Sequence, residues 1–246
     1  MRAVSIIGLK NSGKSTLTAL LAGSLERRGL RVAVAKYAHS GLDKPDTDSA
    51  RLRAPGRTVL ALADGECAIF YGEARFLADM LPLIQADMLL VEGGKSLGWL
   101  PRILCLCAPG GAEAAERDTL DQGLAFAAWG RIPAPGLPYF PGGPRVEDEA
   151  LAALTSLTQE KAFMLPGLDC SACGRENCAT LAIEIVAGKA GAKDCAALHS
   201  AVEVRINGQP LGLNAFAARV VAGSLRGMLR EMKGFAPGEI TLTMRA

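Results

Sequence analysis

Short apolar runs alternate with amphipathic stretches through the first part of the chain. Residues 3–7 are an apolar run that ends at a glycine-rich loop. Between 14 and 28, Leu17, Leu20, Leu21 and Leu25 recur at helical spacing, and Gly29 is placed to cap the end. Residues 32–35 read as a second buried strand. Residues 58–63 and 67–71 flank Asp64-Gly65, a hairpin signal. Residues 74–84 put Phe76, Leu77, Met80, Leu81 and Ile84 on one helical face, and three more strand-like runs lie at 88–91, 103–107 and 124–129. This order predicts an α/β fold with a mostly parallel, doubly wound sheet and one antiparallel excursion.

Residues 130–144 hold five prolines and four glycines, a composition that breaks regular structure. A short helix over 147–157 is expected to close the first domain. Beyond a cysteine-bearing segment, 202–206 reads as a strand followed by an Asn207-Gly208 turn. Asn214 can cap a helix with a buried stripe of Phe216, Val220, Val221, Leu225, Met228, Leu229 and Met232; Gly234 ends it, and 239–244 alternates as a final strand. The expected organisation is a nucleotide-binding domain over 1–160, a cysteine domain over 161–200 and a strand–helix–strand extension over 201–246. No internal repeat or low-complexity tract interrupts it.

Composition narrows the function classes. The chain has 246 residues, half of them apolar, which is ample to bury a core. A net charge of +2 and 5% aromatic residues argue against a nucleic-acid surface. No apolar stretch approaches the ~20 residues of a membrane span, and residues 1–8 lack the features of a secretory signal, so a cytoplasmic protein is expected. Disulfides are unfavourable there. Cys67, Cys105 and Cys107 lie in apolar runs and read as small buried side chains, whereas Cys170, Cys173, Cys178 and Cys195 cluster elsewhere.

Gly8-Leu9-Lys10-Asn11-Ser12-Gly13-Lys14-Ser15 matches G-x-x-x-x-G-K-[ST] in full, with a strand before it and an amphipathic helix after it. In such a loop glycines let successive N–H groups point at phosphate oxygens, and the helix N-terminus adds partial positive charge. Gly8, Asn11, Ser12, Gly13, Lys14, Ser15 and Thr16 are therefore the candidate nucleotide contacts. Lys14 would reach the β- and γ-phosphates, and the Ser15 hydroxyl would hold Mg2+. Glu92, after the apolar run 88–91, is the candidate second Mg2+ group; Lys14 and Glu92 are the candidate catalytic pair. The guanine-reading pattern [NT]-K-x-D occurs nowhere, so the base, GTP or ATP, is not readable from the residues. Leu9 stands where two-subunit ATPases of the nitrogenase-reductase type carry a lysine, which counts against that arrangement.

The loop, Lys36-Tyr37-Ala38-His39, the stretch from Asp43 to Arg51 and Val91-Glu92-Gly93-Gly94-Lys95 together resemble the molybdopterin-guanine dinucleotide biosynthesis protein B (MobB) family. Its members show K-H-x-x-H, D-K-P-G-K-D-S-x-R and V-E-G-x-K in that order. The resemblance covers residues 1 to about 157, and Leu100-Pro101-Arg102-Ile103 is similar to the family's next strand entry. It implies GTP binding with weak hydrolysis and an accessory role beside a molybdopterin nucleotidyltransferase or another molybdoenzyme-maturation partner. It also implies a homodimer paired through an apolar sheet edge, and makes His39, Asp43 and Asp48 candidates for the nucleotide or cofactor side of the site. From the residues alone each of these three is as readily a solvated or capping group. The chain departs from the pattern at Tyr37, in place of the first histidine, and at Asp46-Thr47, in place of glycine-lysine; any phosphate or pterin contact of that lysine is not carried over.

Cys170-x2-Cys173-x4-Cys178-x16-Cys195 is the second motif. Three thiolates close in sequence can clasp three corners of a cubane, and a fourth returns from a distance to take the last iron. Ser171, Ala172 and Gly174 are small enough to let backbone approach the sulfides. The spacing is similar to the 4Fe–4S domains of corrinoid iron–sulfur proteins. Structural zinc is the competing assignment, although zinc sites more often use two separated C-x2-C pairs.

Two functions of different class are consistent with these motifs. One is a GTP-binding accessory protein for molybdenum or tungsten cofactor maturation, with the cluster serving structure, redox sensing or docking. The other is a nucleotide-gated electron-transfer protein.

Overall fold

In the computed structural model the described residues are 1–38, 41–44, 46–106, 120–142, 148–199 and, beyond these, 202, 204–206, 209–211, 213, 215–236, 238 and 240. In chain order the elements are β1 (Arg2–Gly8), α1 (Lys14–Arg27), β2 (Val32–Lys36), α2 (Asp48–Leu52), β3 (Val59–Ala63), β4 (Glu66–Phe70), α3 (Leu77–Met80), β5 (Met88–Glu92), β6 (Arg102–Leu106), β7 (Ala125–Gly130), β8 (Tyr139–Pro141), α4 (Asp148–Lys161), α5 (Cys178–Val186), β9 (Val204–Ile206), β10 (Gln209–Leu211) and α6 (Ala215–Arg230).

Six strands form one sheet in the order β2-β5-β1-β6-β7-β8. Every pairing in it is parallel. The central strands are buried on both faces, as their near-continuous apolar runs require. On one face Val4, Ile6, Met88, Leu90, Ile103 and Cys105 meet Leu17, Leu21 and Leu25 of α1 and Leu151 and Leu154 of α4. Each of the three α1 leucines is fully buried, contributing about 1.5–3 kcal/mol. On the other face Leu89 and Val91 pack with Leu77, Leu97 and Leu100, and Ile7 and Leu104 pack with Leu120 and Ala134. A register shift between Arg102 and Ile103 leaves Phe126 as an extra residue in β7.

Helix ends follow their sequence signals. Gly29 takes φ +81° beyond α1, and its N–H bonds the Glu26 carbonyl at 2.8 Å. Asp148 and Glu149 open α4 and Lys161 closes it, complementing the helix dipole. The two helices are joined by a buried bond from Thr155 Oγ1 to Ser24 Oγ at 3.0 Å.

Several expectations are corrected. The Asp64-Gly65 hairpin forms, but as a separate two-stranded sheet, so the antiparallel excursion lies outside the main sheet. Cys67 is therefore exposed rather than buried. The helix expected over 74–84 is reduced to α3 and a single turn at Leu81–Leu83, because Pro82 sits inside it; Phe76 is exposed. The Pro/Gly-rich stretch contributes β8 to the sheet edge, where a proline costs no ladder bond. In α6 the stripe expected to be buried is only partly covered: Phe216, Val220 and Met228 are exposed, as is Met232 beyond the helix, Val221, Leu225 and Leu229 are half-buried, and Ala218 is buried. Ile240 lies in no strand, while the rest of 239–244, Asn207-Gly208, Asn214 and Cys107 lie outside the described residues. Among the described residues no helix is long and apolar enough to cross a membrane.

Candidate functional site

The phosphate loop leaves the carboxyl end of β1, where the chain order reverses on either side of that strand, the usual place for a ligand crevice in a parallel sheet. Asn11 and Gly13 both take left-handed backbone, at φ +64° and +84°, which curls the loop into a concavity. Gly13 is the N-cap of α1 and accepts from Leu17 N at 2.9 Å, leaving the first-turn N–H groups directed out of the helix end. Gly8 is required by close approach: a Cβ there would lie 2.3 Å from Ser12 Oγ and 2.6 Å from the Cys105 carbonyl oxygen. Ser12 Oγ is buried without a hydrogen-bond partner, an unmet polar group inside the loop. The Lys14 ammonium donates to the Leu9 carbonyl and so folds back over the loop. Ser15 and Thr16, in the first turn of α1, are exposed.

The parallel register carries the second half of the site. Glu92 pairs with Ile6 of β1 and with Lys36 of β2, which sets its side chain beside the loop. Ser15 Oγ donates to Glu92 Oε1 at 2.8 Å. The Lys36 ammonium lies 3.0 Å from the same oxygen and donates to Ser15 Oγ at 3.3 Å. Ser15 and Glu92, named separately from sequence as Mg2+ groups, are thus in direct contact. Lys36 was visible only as part of a motif. The signal that could have found it is its place at the end of an apolar run that pairs with the run ending in Glu92.

Tyr37 packs over the turn after Glu92. A Cβ at Gly93 would lie 3.2 Å from Tyr37 Cβ, and one at Gly94 would lie 3.2 Å from Tyr37 Cε2. Partial burial pushes its phenol above the usual range. Asp43 is turned inward to its own loop: Oδ2 accepts from Ser49 at 2.8 Å and pairs with Arg53 at 3.2 Å, and Oδ1 accepts from Thr47 at 2.9 Å. These bonds, that from Ser49 foremost, hold its carboxyl below the usual range. Thr47, in the family's lysine position, caps α2 through Ala50 N at 3.2 Å. Asp48 is exposed and pairs with Arg51 at 3.4 Å. His39 lies outside the described residues.

The four clustered cysteines line one small cavity together with Leu168, Asn177 and Leu181. Cys178 and Cys195 are buried, Cys170 and Cys173 half-buried, and none is in a disulfide. Left-handed backbone at Asp169, Ser171 and Gly174 turns the first two thiols inward. Asp169 Oδ1 accepts from Cys178 N at 2.7 Å, and Asn177 caps α5 by accepting from Thr180 N at 2.9 Å. Arg175 ties the loop to α5 through Glu184 at 2.8 Å and donates to the Cys173 carbonyl at 3.0 Å. Burial pushes the Cys178 thiol up, so a metal there must displace a proton. Among the described residues no three Cys, His, Asp or Glu side chains are drawn together as for a single ion; the four sulfurs border a space.

One segment joins the two sites. The turn that begins at Glu92 runs through Gly98 and Trp99, and the latter packs against the cluster of Leu124, Phe163, Leu165, Cys178, Leu181 and Cys195. A Cβ at Gly167 would lie 2.9 Å from Trp99 Nε1, and one at Gly98 would lie 2.8 Å from Ala179 Cβ. Arg102, fully buried, fastens this segment by donating to the carbonyls of Lys95 at 2.7 Å and Leu120 at 2.8 Å. Desolvation lowers its guanidinium from the ordinary value.

Comparison with known proteins agrees with both motifs. The family described as molybdopterin guanine dinucleotide synthesis protein B matches residues 3–129, just over half of the chain. A second, described as "Putative Fe-S cluster", matches residues 165–197, which hold all four cysteines. A protein of Methanocaldococcus jannaschii named "Putative molybdopterin-guanine dinucleotide biosynthesis adapter protein" is 25% identical over 245 residues, 95% of this chain and 93% of that one. The Haemophilus influenzae molybdopterin-guanine dinucleotide biosynthesis adapter protein is 33% identical over 109 residues, 41% of this chain and 61% of that one. The crystal structure of Bacillus subtilis MobB aligns with a TM-score of 0.48 at 20% identity, covering 65% of this chain and 97% of that one. With its phosphate loop, Lys36, Asp43 and Glu92 all inside the matched region, the chain belongs to the MobB family.

Proposed function

We propose that this chain is a nucleotide-binding adapter of molybdopterin guanine dinucleotide biosynthesis, which binds GTP with Mg2+ and carries a 4Fe–4S cluster on Cys170, Cys173, Cys178 and Cys195. The observation that carries the nucleotide reading is the 2.8 Å contact between Ser15 and Glu92 at the mouth of the phosphate loop. It supports a shared cation position next to where the phosphates would lie. The N–H groups from Asn11 to Thr16 bind the phosphates, and Lys14 leaves the Leu9 carbonyl for the β- and γ-oxygens. Ser15 and Glu92 hold the cation, which when bound neutralises phosphate charge and fixes its orientation. Hydrolysis is slow, as the family resemblance implies.

All four cysteines line one small cavity, which supports a single shared metal centre, and the match of residues 165–197 to a family described as "Putative Fe-S cluster" favours a cluster over a single zinc ion. Such a cluster would cross-link the segment and supply one-electron chemistry. The named adapters support a protein partner in that pathway, and the family resemblance implies a molybdopterin nucleotidyltransferase or another molybdoenzyme-maturation partner. Anaerobically purified protein should contain about four iron atoms per chain for a cubane and bind GTP in preference to ATP by calorimetry. Zinc in place of iron, or equal or tighter binding of ATP, would refute the corresponding half.

A second reading, nucleotide-gated electron transfer, is favoured by the segment that links Glu92 to Trp99 and the cysteine cavity. It requires the reduction potential of the cluster to shift when nucleotide binds, and a potential indifferent to nucleotide removes it.

A further inference from the structure

Lys36 places a cation at the position proposed for Mg2+. Its ammonium lies 3.0 Å from Glu92 Oε1 and 3.3 Å from Ser15 Oγ. The two partners differ in freedom. The Glu92 side chain is 12% exposed and fixed at the end of a buried strand, whereas the Lys36 side chain is 56% exposed on a flexible stem. A largely buried carboxylate left unpaired is costly, and the Lys36 ammonium is placed to meet it. A divalent ion entering between Ser15 and Glu92 must displace that ammonium, because the two positive charges compete for the same oxygens.

We propose that Lys36 is a tethered counter-ion for the Mg2+ position. It keeps Ser15 and Glu92 neutralised in the nucleotide-free state and disfavours binding of free divalent ion. It is released to the triphosphate when cation and nucleotide arrive together. This rests on the Mg2+ reading of Ser15 and Glu92 given above. Its consequence is coupling: metal binds more tightly when nucleotide is present, and by linkage the nucleotide gains from metal in equal measure.

The test uses the full chain and Mn2+ as a spectroscopic probe for Mg2+, with free Mn2+ followed by EPR in the absence of nucleotide. Lys36→Met and Lys36→Gln, both at a largely exposed position, should lower the half-saturating Mn2+ concentration about two- to fivefold, the worth of one partly exposed ion pair. That gain should vanish in Lys36→Met/Glu92→Gln. The tightening of Mn2+ binding caused by adding GTP should be smaller in the single variants than in wild type by the same factor, because the metal no longer has an ammonium to displace. Folded Lys36 variants with wild-type Mn2+ affinity would overturn the inference while leaving nucleotide binding in place. If wild type binds neither Mg·GTP nor Mg·ATP, the functional reading itself fails and this inference falls with it.

Discussion

Replacing Gly8 with alanine is the most direct test of how the phosphate loop is held. Gly8 is not among the residues with positive φ, so the argument is steric. The added methyl would lie 2.3 Å from Ser12 Oγ, 2.6 Å from the Cys105 carbonyl oxygen and 3.1 Å from Cys105 Cβ. Ser12 can turn its hydroxyl away. The Cys105 carbonyl cannot yield cheaply, because it belongs to β6, which is buried along its whole length and paired with β1 at Gly8 itself. Overpacking at such a site costs about 1–3 kcal/mol. If the loop takes up the displacement, GTP affinity should fall about five- to hundredfold, since each 1.4 kcal/mol is about tenfold.

Urea unfolding and calorimetric GTP titration of G8A, S12A and the double variant separate the contributions. S12A alone should unfold near the wild-type midpoint, because Ser12 Oγ has no partner to lose. In G8A/S12A less than half of the lost stability should return, because the carbonyl contact remains. A wild-type midpoint and wild-type GTP affinity in G8A would refute the steric argument. Complete recovery in the double variant would show that Cys105 is not the limiting neighbour.

The remaining predictions concern separate parts of the chain. K14A should abolish nucleotide binding with iron content unchanged, whereas C178S should lose iron and keep nucleotide binding; unchanged iron in C178S would refute its assignment as a ligand. W99A removes the ring seated on Gly167 and the cysteine segment, a half-buried version of changes that cost about 3–5 kcal/mol in full cores. Limited proteolysis should then cut within 165–199 faster than in wild type. Asp87, held at about 2 chiefly by hydrogen bonding to Arg31, has a folded pKa below its unfolded value of about 3.9. Its stabilising effect is therefore present above pH ~4 and lost as pH falls towards 2. In D87N the urea midpoint should decline less steeply than in wild type over that window.

Local chemistry made much of this protein legible. The strand–loop–helix of residues 2–27 carries its own signals: a glycine that must be small, a left-handed glycine cap and leucines at helical spacing. The Asp64-Gly65 turn specified its hairpin without help, and four cysteines at short spacing announced a common site. What stayed hidden depended on neighbours distant in sequence. Cys67 sits in an apolar run, yet its hairpin stands apart from the main sheet. The stripe on α6 has helical period, but periodicity records only that one face is apolar, and nothing in it says whether another element covers that face.

The same distinction applies to the site. Residue types and spacing alone determined that the chain carries a phosphate loop with a lysine and a serine, a strand-end glutamate and a four-thiol cluster. Only the parallel pairing of β2, β5 and β1 decided that Lys36, Glu92 and Ser15 would meet at one point, since strand order and register are set by the packing of both sheet faces and leave no mark in any single segment.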